Sequence, residues 1–169
     1  EHIGELKTKT TQHSANELRR IGIQPDIMMC RSPIDLPEEV KDKISLFCNV
    51  SKENAISLPD VNTTYSVPII MAKRGIADRT LKLLDLKPKD NTNKVLQNWK
   101  EFVTRLINPK KEITLGIVGK YIDILDSYKS ITQAVIHAGT SHDTKVNIEW
   151  IESENLEHPN CKDQLKDID

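Results

Sequence analysis

The sequence predicts an α/β fold built on parallel strands. Three observations predict it. Short apolar runs alternate with amphipathic stretches along the 169 residues. The last third reads strand, helix, strand, a unit whose two strands must lie parallel. Hydrophobic residues make up 37% and charged residues 29%, a balance that suits a folded, soluble chain rather than a disordered one.

The elements follow in order. Residues 7–12, Lys-Thr-Lys-Thr-Thr-Gln, are polar and expected to be extended. A helix is expected after them. Ser14 with Glu17 three residues on reads as a capping box, Leu18 and Ile21 supply an apolar face, and Gly22 is placed to end it. The apolar run 27–30 after Pro25-Asp26 reads as a buried strand. Pro37 suits the first position of a helix running to about Phe47, with Glu38 and Glu39 complementing its dipole. Residues 55–58 read as the next strand, and 67–74 and 78–84 as two helices separated by Gly75. The polar stretch 88–92 reads as a linker. Val95, Trp99, Phe102 and Leu106 then form one helical stripe, stopped by Asn108-Pro109, as expected of a helix bridging two domains. Residues 113–118 read as a strand and 127–138 as a helix stopped by Gly139. Val146, Ile148 and Trp150 alternate along a second strand.

Composition excludes several function classes. A net charge of −1 and a pI near 6.6 argue against a broad nucleic-acid-binding face. No apolar run reaches the length of a membrane span, and no signal peptide is visible. Cys30, Cys48 and Cys161 form no CxxC pair, so reduced thiols in a cytoplasmic protein are expected rather than a zinc site or a disulfide framework. Residue 1 is Glu and the final residues, Leu165 to Asp169, close no element, so an internal piece of a longer chain is expected.

Chemistry is sparse. In an extended chain Lys7 and Lys9 share a face and could present two ammonium groups to one polyanion, with Thr8, Thr11 and Gln12 as polar partners. A helix start just beyond them favours an anion. The same residues also describe a solvated polar loop, and on spacing alone that reading stands ahead. Gly116-Ile-Val-Gly-Lys120 fails as a phosphate loop: two residues separate the glycines instead of four, and Tyr121 follows the lysine. His2, His13, His137, His142 and His158 show no metal-ligand spacing. Asp123, Asp126, Glu152 and Glu154 look like solvated surface, and no nucleophile signature occurs. Spacing nominates no catalytic group.

Segments in order carry more. Gly4-Glu5-Leu6-Lys7-Thr8-Lys9, Thr11-Gln12-His13-Ser14, Ile21 to Asp26, Leu46 to Val50, Asp60-Val61 and Val67-Pro68 resemble the amidoligase domain of the CTP synthase family. Gly116 to Tyr121 and Asp126 to Ser130 resemble the opening of its glutamine amidotransferase domain. The resemblance runs over essentially the whole chain. It implies an internal piece with three parts: the end of a parallel-sheet, dethiobiotin-synthetase-like amidoligase domain (1–87), a linker helix (88–111), and the first βαβ unit of a flavodoxin-like amidotransferase domain (112–169).

The resemblance also implies an activity for the whole enzyme, the conversion of UTP to CTP. ATP phosphorylates the uracil O4, and glutamine-derived ammonia displaces the phosphate. Mg²⁺ assists the ATP step, GTP activates, CTP competes with UTP, and the enzyme is a cytoplasmic homotetramer without nucleic-acid or membrane partners. By position, Lys7, Thr8, Lys9, Thr11, Gln12 and Lys43 match the UTP/CTP site, and Asp60, Val61 and Arg31 the ATP site. Lysines suit a triphosphate as mobile point charges. Two positions depart from the family: Thr10, where proline is usual, and Pro59, where some members carry lysine. The family's phosphate loop, metal carboxylates and amidotransferase cysteine match no residue here, so the chain alone is expected to be inactive. The alternative is a non-catalytic α/β module that senses UTP or CTP.

Overall fold

The structure is a computed structural model that describes residues 6–88, 92–157, 165, 166, 168 and 169. The expected linker residues 89–91, together with His2, His158 and Cys161, lie outside the described residues. The chain divides into two compact units between Leu96 and Gln97.

In the first unit, helix α1 (Lys9–Arg20) is followed by strand β1 (Met28–Ser32), helix α2 (Glu38–Cys48), strand β2 (Ala55–Pro59) and helices α3 (Val67–Lys73) and α4 (Ile76–Leu83). β1 and β2 pair in parallel, with Met28 opposite Ala55 and Ser32 opposite Pro59. Val40, Ile44 and Cys48 recur every four residues, so α2 turns one stripe inward. That stripe packs with Ala15, Cys30, Leu36, Val50 and Ala55, and with Leu6 and Met28 at its margin. The expected buried strand at 27–30 is buried on one side only: Cys30 and Ser32 point inward while Met29 and Arg31 are exposed.

In the first unit the boundaries differ from expectation chiefly at α1 and α2, and α4 starts at Ile76, two residues early. α1 begins at Lys9, so residues 9–12 are helical rather than extended, and Ser14 is not a cap. Its hydroxyl donates to the Thr10 carbonyl one turn back (3.1 Å), and Glu17 pairs with Arg20 (3.0 Å). The helix extends toward Thr8 because Gln12 Nε2 donates to Thr8 Oγ1 (3.0 Å) while the Gln12 N–H donates to the Thr8 carbonyl (3.0 Å). Pro37 serves as the cap of α2 rather than its first residue; Asn49, in the left-handed region at φ 54°, ends the helix.

In the second unit, helix α5 (Thr92–Ile107), which begins in the first unit, leads into strand β3 (Lys111–Gly119). A short 3₁₀ turn, Leu125–Tyr128, precedes helix α6 (Lys129–Ser141) and strand β4 (Thr144–Glu152). β3 and β4 are parallel over nine pairs, Lys111 opposite Thr144 to Gly119 opposite Glu152. Gly139 does not stop α6. It lies inside the helix because a Cβ there would sit 2.6 Å from the Thr144 carbonyl oxygen and 2.7 Å from Val146 Cγ2, so its missing side chain permits close packing of helix on strand. The turn falls instead at Asp143, with φ 53°. The alternation along β4 also places its most buried residue unexpectedly, at Ile151, outside the Val146–Ile148–Trp150 set. Ile151 Cδ1 and Ile168 Cδ1 both close on the space a Cβ would take at Gly116 of β3. His137 stacks edge-on against Phe102 at 5.5 Å, a packing role.

Candidate functional site

Two surfaces of the first unit collect the residues singled out by sequence. The first is the start of α1. Thr8 occupies the cap position without capping, since its hydroxyl accepts from the Gln12 side chain instead of from a first-turn N–H. The N–H groups of Lys9, Thr10 and Thr11, like those of any first turn, have no acceptor within the helix, and among the described residues none is found outside it; no acidic residue stands in the first turn. Lys7 and Lys9 are exposed, and neither forms an ion pair among the described residues. Free donors, a helix dipole and two ammonium groups make this a strongly anion-attracting end.

Lys43 stands on α2. It is exposed and precedes Ile44, which is 2% exposed, so the core anchor fixes the height at which the lysine emerges. Leu6, immediately before Lys7, and Ala15 of α1 pack into the cluster that holds Ile44. One core thus holds both lysine-bearing helices, and α1 and α2 are in direct contact.

The second surface lies at the carboxyl ends of β1 and β2. Arg31 is the fourth residue of β1, and Asp60 and Val61 follow the last residue of β2. The parallel register sets Arg31 opposite Leu58, which brings Arg31 Nε to 2.7 Å from Asp60 Oδ1. That carboxylate holds the guanidinium's pKa above its ordinary value, first through the hydrogen bond and then through its charge. The Asp60 N–H donates to the Ser32 carbonyl (2.9 Å). This fixes the strand's parity: the nitrogen of Pro59 faces away from β1, so a residue with no N–H costs the ladder nothing. Arg31, Leu58, Pro59, Asp60, Val61, Thr64 and Val67 line a concavity of about 440 Å³, with apolar walls and a charged pair at one side. Ligands in open parallel sheets bind at this end of the strands. Leu58, Thr64 and Val67 carry no site signal in the sequence beyond their place just before or after the carboxyl end of β2.

A larger concavity of about 590 Å³ lies over β2, among Glu38, Lys41, Lys52, Ser57, Arg74 and Arg79. Its cations are largely engaged: Lys41 with Glu38 (2.7 Å), Lys52 with Asp42 (2.6 Å) and Arg74 with Asp35 (2.5 Å). Asp35 also accepts from the buried Ser57 hydroxyl (2.8 Å), and these bonds, Ser57's first, lower its pKa. This is a structural network rather than an open site. Cys30 and Cys48 are free, buried thiols whose pKa values burial raises, which leaves them protonated and unreactive.

Among the described residues no three His, Cys, Asp or Glu side chains converge as metal ligands.

The family model described as CTP synthase N-terminus matches residues 1–86. The chain belongs to the CTP synthase family. CTP synthases of Methanocaldococcus jannaschii and Methanococcus maripaludis are 49% and 52% identical to it over 162 residues, 96% of this chain. That of Campylobacter jejuni is 45% identical over 165 residues, 98% of this chain. The chain spans about 30% of the length of these CTP synthases. The matched stretch of 1–86 contains both surfaces described above.

Proposed function

We propose that this chain supplies nucleotide-recognition surface to an enzyme that aminates UTP to CTP, using ATP and glutamine-derived ammonia. The observation that carries the proposal is the uncapped, acid-free first turn of α1 with Lys7 and Lys9 beside it. In this reading Lys7, Lys9 and Lys43 neutralise the triphosphate shared by UTP and CTP. The free N–H groups of the first turn, with Thr8, Thr11 and Gln12, orient it. The concavity at the ends of β1 and β2 takes the adenine of ATP: Val61 offers an apolar wall, and the Arg31–Asp60 pair offers polar edges.

In the overall reaction, phosphorylation of the uracil O4 makes that oxygen a leaving group. Ammonia then forms the new bond to carbon as phosphate departs. The residues of this chain bind and orient for that chemistry; none is proposed to break or form a bond. Residues 1–87 are assigned to the amidoligase domain, 88–111 to a linker helix and 112–169 to the start of the amidotransferase domain. The parallel β3–α6–β4 unit supports the last of these. Cytoplasmic location, homotetramer assembly, GTP activation and a Mg²⁺ requirement belong to the same proposal. Among the described residues no helix is long and apolar enough to cross a membrane.

The test is Lys9→Ala in the full-length enzyme. Loss of one charge-assisted phosphate contact should raise the UTP KM and weaken CTP inhibition together, each by about tenfold. Both values at the parent level would remove Lys9 from the site.

A further inference from the structure

We infer that Arg19 and Gln24 are positioning residues for the nucleotide site: they clasp the end of α2 and so fix Lys43's helix against the helix that begins at Lys9. The inference rests on the reading of residues 7–12 and Lys43 as one UTP/CTP site.

The last carbonyls of a helix have no partner within it. At the end of α2 and its cap Asn49, three carbonyls are met by side chains from outside. Arg19 Nη2 donates to the Phe47 carbonyl (2.9 Å) and also bonds Asn16 Oδ1, one turn earlier on α1, which steadies the guanidinium. Gln24 Nε2 donates to the carbonyls of Cys48 (3.2 Å) and Asn49 (3.0 Å), and to that of neighbouring Pro25 (2.9 Å). Gly22, at φ 86°, turns the chain between the two donors, a conformation that residues with a side chain rarely adopt. A cation at this end also complements the α2 dipole.

Such a clasp matters because apolar packing leaves α1 poorly constrained. Ala15 is its one buried residue; Leu18 is 36% exposed and Ile21, just past its end, 72%. Ala15's methyl permits close approach, and Leu6 packs at the margin of the same core ahead of the helix, but a small residue and a marginal contact leave the helix room to tilt. Lys9 lies six residues from Ala15, roughly 9 Å along the axis, so a tilt of about 10° displaces it by roughly 1.5 Å. Errors of that size are costly where a ligand must be held in register. Both donors are exposed, so their bonds add little to overall stability. Their effect falls on the relative placement of Lys9 and Lys43.

The experiment compares Arg19→Met/Gln24→Met, Arg19→Lys and Lys9→Ala in the full-length enzyme. It follows the KM for UTP, inhibition by CTP, the KM for ATP and the melting temperature. The double variant should raise the UTP KM and weaken CTP inhibition by about threefold to tenfold. The ATP KM and melting temperature should stay at parental values, and Arg19→Lys, which keeps a donor, should restore most of the affinity. Parental UTP and CTP values in the double variant, with Lys9→Ala still impaired, would overturn the inference and leave the site assignment standing. If Lys9→Ala is also silent, the site assignment itself fails. A matching rise in the ATP KM with a lower melting temperature would show a merely structural role and equally overturn the inference.

Discussion

The two parallel strand pairs differ in what surrounds them. β1–β2 is short, five residues a strand, yet its unit closes a core in which Ala15, Ile44 and Cys48 are at most 2% exposed. Its carboxyl ends open onto a lined concavity. β3–β4 is nearly twice as long, but Ile113, Leu115 and Val118 on β3 remain 36–50% exposed. A long ladder is therefore no guide to where a core or a site lies. Backbone pairing needs only two strands, whereas a core needs a second layer, and a site needs side chains from several elements to converge.

That contrast can be broken experimentally. The largest effect is expected at Ile44. Ile44→Ala should reduce stability of the first unit by about 2–5 kcal/mol. Ile113→Ala, at a half-covered position, should cost well under half as much. Hydrogen exchange resolved by segment measures both; equal losses would refute the contrast. Next comes Gly139→Ala. The added methyl meets Thr144 backbone and Val146, so the second unit should lose about 1–3 kcal/mol, read from exchange in β3 and β4. Unchanged protection there would mean that α6 can shift away from the strand.

The smallest expected effect is one of pH. Ser57 and Arg74 lower the Asp35 carboxyl's pKa in the folded chain. A lowered folded pKa gives stability that is present above the unfolded value, about 4, and is lost as pH falls through the folded value. Asp35→Asn should therefore be less stable than the parent at neutral pH, and the difference should shrink below about pH 4. An acid unfolding profile parallel to the parent's would exclude this contribution.

Much of the fold was legible in the sequence because each strand carries an apolar run between polar turns. The start of α1 was not. Lys9 to Gln12 have no apolar periodicity, and Ser14 with Glu17 imitates a capping box that the structure does not use. Gly139 misled for a related reason. A glycine reads as a helix stop, but here its missing Cβ admits a neighbouring strand. At the site, Arg31 and Asp60 are 29 residues apart and no spacing rule joins them. Family resemblance named them, while the parallel register explains why they meet. The clasp of Arg19 and Gln24 was illegible for the same physical reason. Side chains that cap a distant helix leave no local pattern.

Whether the start of α1 and Lys43 form one nucleotide site is read most directly by hydrogen exchange on the full-length enzyme with and without saturating CTP. Bound CTP should slow exchange in residues 9–12 and around Lys43 and leave β3 and β4 unchanged. Slowing confined to β3 and β4, with the first turn of α1 unaffected, would contradict it.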